Sequence, residues 1–104
     1  MTNKKHIAFN VKKVTEGKRQ NYICYLKANL ENAYLTLRRD AKSGAVKVIA
    51  HIRGGKTVEL GQTPAWVRDI VKAAQDEGKF AIVNSFKVIG GRGGFYGVHM
   101  SLAY

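Results

Sequence analysis

The sequence predicts an α+β fold, mainly an antiparallel sheet or a small OB-like barrel of about six to seven strands, with one covering helix (63–78) before a C-terminal hairpin. Three observations carry this. Apolar residues alternate with period two through most of the chain, one segment alone shows helical spacing with a start and a stop signal, and Gly-bearing turns separate the alternating runs. At 104 residues and 45% hydrophobic content the chain reads as a single domain, 1–104, able to bury a core without metal or disulfide support.

The elements follow in order. Ile7, Phe9 and Val11 share one face of a first strand, and Glu16-Gly17-Lys18-Arg19 is a charged turn. Asn21 to Leu30 is apolar on both faces and suits a long central strand, with Cys24 as a buried, inert thiol. Ala33 to Arg39 places Leu35 and Leu37 inward and Tyr34, Thr36 and Arg38 outward. Asp40-Ala41-Lys42-Ser43-Gly44 is a hairpin loop. Val46, Val48, Ala50 and Ile52 then face inward against Lys47, Ile49, His51 and Arg53, and a Gly54-Gly55 turn leads into a short strand, Thr57 to Leu60.

Thr63 is a candidate N-cap, and Pro64 suits the first helical position, where its missing N–H costs nothing. Val67, Ile70, Val71 and Ala74 repeat at helical spacing, Trp66 reads as a core anchor, and Gly78 closes the segment. Lys79 to Ile89 and Phe95 to Ala103 form the closing hairpin around Gly90-Gly91-Arg92-Gly93-Gly94. A short echo links its halves to the earlier hairpin: Lys47-Val48-Ile49 precedes Arg53-Gly54-Gly55, and Lys87-Val88-Ile89 precedes Arg92-Gly93-Gly94.

Charge decides the functional class. The chain holds 18 Lys+Arg against 7 Asp+Glu, a formal net charge of +11. Two of those cations and three of those acids lie in the helical segment, so sixteen cations face four acids elsewhere. A compact domain repels itself at such a charge, and a polyanion relieves the repulsion. Outward positions mix cations with rings: Tyr25, Lys27, Tyr34, Arg38, Lys47, Arg53 and Lys87, with Arg92, Phe95 and Tyr96 at the last hairpin tip. Unpaired bases stack on such rings while Lys and Arg meet phosphates.

Catalysis finds little support. The carboxylates outside the helix sit in turns or singly on strands, and His6, His51 and His99 have no ligand-type spacing. The glycine loop is followed by no helix, which sets aside a dinucleotide fingerprint or a P-loop. No cofactor and no metal are expected. Met1-Thr2-Asn3-Lys4-Lys5-His6 leads into no apolar run of signal-peptide length, and the single cysteine fits a reducing, cytoplasmic setting.

The run Lys56-Thr57-Val58-Glu59-Leu60-Gly61-Gln62-Thr63-Pro64-Ala65-Trp66 is similar to the sheet-to-helix junction of transcription-coactivator and Whirly-type single-strand binders, although two further strands follow the helix here. Ser85-Phe86-Lys87-Val88 with its glycine loop resembles filamentous-phage single-strand binders. Neither likeness carries residues over, and the chain is assigned to no family.

The sequence thus leads to a non-enzymatic protein that binds single-stranded DNA or RNA with low sequence specificity through a basic, aromatic-bearing strand face. The alternative is a small protein that binds an acidic protein surface as an inhibitor or assembly factor. A homo-oligomer paired through an edge strand is a third expectation, and no membrane partner is expected.

Overall fold

Apolar residues at Val46, Val48, Ala50 and Ile52, with a further buried Ile49 between them, make Val46–Ile52 the centre of a sheet. In the computed structural model, which describes residues 5–104, it is the middle strand of three. The reading of the start at residues 1–4 lies outside the described residues. The element order is β1 (His6–Asn10), α1 (Arg19–Ala28), a short 3-10 turn (Leu30–Asn32), β2 (Ala33–Arg39), β3 (Val46–Ile52), β4 (Lys56–Gln62), α2 (Ala65–Asp76), β5 (Ile82–Gly90) and β6 (Tyr96–Ala103). The described residues form two antiparallel three-stranded sheets, ordered β1-β6-β5 and β2-β3-β4. They are not closed into a barrel.

The sheets join at one corner. A register shift opposite Val48 and Ile49 leaves Leu60 as the extra residue of β4, and such a bulge bends its strand. Beyond the bend, Gln62 exchanges backbone hydrogen bonds with Lys12 (2.7 and 2.9 Å) just after β1. Glycine at 61 permits the approach, because a Cβ there would run into the Lys12 carbonyl oxygen and the Val11 side chain. On the opposite side β2 and β5, each an edge strand, approach one another across a seam without a ladder.

The inward faces meet as the alternation requires. Val48, Ala50, Val58 and Leu60 from one sheet pack with Phe9, Val98, Met100 and Leu102 from the other in one core. Burying a side chain of this size contributes about 1.5–3 kcal/mol. α2 adds Val67 and Val71 to that core and ends in a Schellman motif, with Gly78 N–H donating to Gln75 and Lys79 N–H to Ala74.

Five expectations are corrected. The segment from Asn21 is not a strand: Arg19–Ala28 forms a second helix, which buries Ile23 and Leu26 between β4 and β6. Tyr22, Ile23, Cys24, Tyr25 and Leu26 are apolar around the whole helix, so the stripe that reaches the core is only two residues wide and the pattern mimics a two-faced strand. Cys24 is consequently exposed on α1 and not buried. Thr63 does not cap α2, because its N–H still bonds the Val46 carbonyl as an extension of β4. Pro64 occupies the N-cap, and the Thr63 hydroxyl is buried without a partner among the described residues. Trp66 is half exposed, with its ring edge-on to Phe9 at 6.4 Å. Among the described residues no helix is long and apolar enough to cross a membrane.

Candidate nucleic-acid interface

The outer face of β2-β3-β4 is built from three cross-strand rows. Tyr34 opposes His51 and Thr57, Thr36 opposes Ile49 and Glu59, and Arg38 opposes Lys47 and then Gln62. In the first row the Tyr34 and His51 rings are stacked, 4.7 Å between centroids at 7°. The Thr36 hydroxyl lies 2.8 Å from His51 Nε2 and fixes that ring. Tyr34 nevertheless keeps 61% of its surface open. The orientation of the Tyr34 ring is thus set within the fold, with one face on His51 and much of the ring open.

The cations on this face divide into engaged and free. From the N-terminal turn of α1, Arg19 reaches round the β4 edge to pair with Glu59 and with Glu16 (2.7 Å). Glu59 also takes Lys47 at 3.3 Å, and Lys47 lies 3.9 Å from Asp40. Burial pushes the Glu59 carboxyl up, but hydrogen bonds and charge from Arg19 and Lys47 outweigh it and leave the group below its ordinary value. Asp40 is also lowered, chiefly by the Lys42 backbone N–H and the Ser43 hydroxyl. The β4 side is therefore charge-compensated. Arg38 and Arg53 have no acidic partner among the described residues.

A hollow of about 250 Å³ at the β3–β4 hairpin adjoins the stacked pair, with Tyr34, His51, Arg53, Lys56 and Thr57 on its walls. Lys56 Nζ lies 4.6 Å from the centre of the exposed Tyr25 ring on α1. Tyr34, His51, Arg53, Lys56 and Tyr25 therefore form one strip, and Arg38 lies on its line along β2, beyond the Thr36–Ile49–Glu59 row. Lys27 sits on the same helix but turns to the Tyr96 ring, 5.3 Å away.

The remaining expected residues lie apart from the strip. Lys87 faces outward from the other sheet, opposite His99, whose Nδ1 is 2.8 Å from Asn10 Oδ1. Arg92 and Phe95 are exposed at the β5–β6 tip. Tyr96 is half-buried, its N–H donating to the Gln20 side chain at 2.7 Å. That tip is shaped and not merely slack: Gly91 has φ +94°, and a Cβ there would strike the Tyr96 ring. Both members of the Lys-Val-Ile and Arg-Gly-Gly echo fall at hairpins, one at each sheet's outer surface.

Lys56 was not among the residues expected from sequence. Its place directly after Arg53-Gly54-Gly55 is the only signal that could have found it. Among the described residues no group of three or more His, Cys, Asp or Glu is placed to hold a metal ion. No protein family, no curated protein and no solved structure matches the chain.

Proposed function

We propose that the chain binds single-stranded DNA or RNA, without catalysis and with little sequence preference, along the strip from Arg38 through Tyr34 and His51 to Arg53, Lys56 and Tyr25. The observation that carries the reading is the open Tyr34 ring held on His51 between unpaired arginines. Every base has a π-face, so stacking tolerates sequence, and the arginines supply phosphate contacts. A shallow strand face suits an unpaired strand better than a duplex groove, and oligonucleotide-binding barrels use such a face. The carboxylates of this surface, Asp40 and Glu59, serve as partners for Lys47 and Arg19, which leaves them poorly placed for acid–base work. The compartment taken for this activity is the cytoplasm, where an exposed thiol such as Cys24 stays reduced.

Fluorescence anisotropy with labelled oligothymidine and oligouridine at low salt tests this. Binding is expected, and Tyr34→Ala should weaken it by about 1–3 kcal/mol, the usual worth of one stacked base. Tyr34→Phe should leave it nearly intact. Absence of binding to either strand at low salt would end the proposal. Equally tight binding to polyglutamate would transfer the surface to an acidic protein partner.

A further inference from the structure

The seam between β2 and β5 is the least explained concavity of the molecule. It forms a hollow of about 390 Å³ whose floor and walls include Leu35, Val83 and Phe86, with Tyr34 on one rim and Asn84 and Ser85 on the other. Tyr34 and His51 are stacked cross-strand neighbours, and β3 lies on the far side of β2 from the seam. The ring face of Tyr34 turned away from His51 is therefore the one that borders this hollow.

Asn84 is placed there by an irregularity. The β5–β6 register shifts between Val83 and Ser85, so Asn84 is the extra residue of a bulge, a device that re-aims a side chain. Its Nδ2 donates to Ser101 Oγ on β6 at 3.4 Å, beside the 2.8 Å Ser85–Ser101 pair, a long bond on an exposed side chain that a stronger partner can replace. An exposed amide beside a ring face and the apolar side chains of the seam has the parts of a base-reading site.

We propose that the seam holds one unpaired adenine of the bound strand, stacked on Tyr34 and read by Asn84. This rests on the single-strand reading above and adds one position of base preference to it. The Asn amide presents an acceptor oxygen beside an NH₂ donor, which matches the N6 donor and N7 acceptor of adenine in a two-bond pair. A purine also covers more of the ring than a pyrimidine does.

The experiment compares an oligothymidine carrying one central deoxyadenosine with the all-thymidine strand. The adenine-bearing strand should bind at least about fivefold tighter, the lower end of a two-bond base contact. Asn84→Ala should erase that difference while leaving affinity for all-thymidine within about twofold, since an exposed bulge residue contributes little to stability. Equal affinity of the two strands, or a preference that survives Asn84→Ala, overturns the inference while leaving single-strand binding in place. If neither strand binds, the earlier proposal fails and this one fails with it, an outcome distinct from equal binding of the two strands.

Discussion

Tyr34 borders both hollows, and its ring is held from one side only, by His51 and through it by Thr36. Its neighbours were readable from alternation: placing Leu35 and Leu37 inward forces Tyr34, Thr36 and Arg38 outward, as they are found. The stacking partner was not readable, because strand register decides whether Tyr34 meets His51 or its neighbour two positions away. A second residue-scale feature concerns the fold. Gly61 is buried where the bent β4 meets Lys12, and a methyl group there would overlap backbone and not a movable side-chain tip. Gly61→Ala is therefore expected to cost roughly 1–3 kcal/mol, the range for overpacking. Urea unfolding measures it, and a change below a few tenths of a kcal/mol would show that the corner relaxes freely.

At the scale of elements, β1, β2, β3, β4, the β5–β6 hairpin and α2 were legible, since each combines a clear period with turn or stop residues at its ends. α1 was not. It has no side-chain cap and no acidic residue in its first turn, and its buried stripe is Ile23 and Leu26 alone. What holds it is long-range: the Gln20 side chain bonds Val14 and Tyr96 backbone groups, and Arg19 pairs with Glu59, 40 residues away. No local pattern reports such contacts. They also make this helix acid-sensitive. The folded-state Glu59 carboxyl is lowered, so the stability it contributes is complete above the ordinary carboxylate range near 4 and is lost as pH falls through the lowered value. Hydrogen-exchange protection over 19–28, taken relative to the intrinsic rate at each pH, should fall on acidification below about pH 4 ahead of protection in β3 and β6. Glu59→Gln should remove that pH dependence at a cost of up to about 1 kcal/mol. Equal loss of protection in all elements would show that the Arg19–Glu59 link does not govern docking of α1.

For the whole molecule, the net charge of +11 overstates the cations that a strand lying on the proposed strip would meet. Lys87 lies on the opposite sheet, Arg92 stands at a distant hairpin tip, and Lys47 and Arg19 are neutralised in the chain of pairs that includes Glu59 and Asp40. The free cations of the strip are Arg38 and Arg53, with Lys56 shared with a ring. Single-strand binding that neutralises about three phosphates gives a slope of log affinity against log salt of roughly −2, at about 0.7 per contact. A chain using all its cations would give a far steeper line. The pairing separates residues that composition treats alike. Arg38→Ala should flatten the slope by about 0.7, whereas Lys47→Ala should change it by less than half of that, since Lys47 is already matched by carboxylates. Glu59→Gln carries the argument in the other direction: it leaves Arg19 with Glu16 and Lys47 with Asp40 as their remaining carboxylates, one acid for each cation, so it should tighten binding at low salt and steepen the slope by up to about 0.7, even as it destabilises α1. Salt titrations of these variants against one labelled oligothymidine decide the matter. Identical slopes for Arg38→Ala and Lys47→Ala would mean that the bound strand reads total charge, and the Tyr34 strip would lose its claim to be the interface.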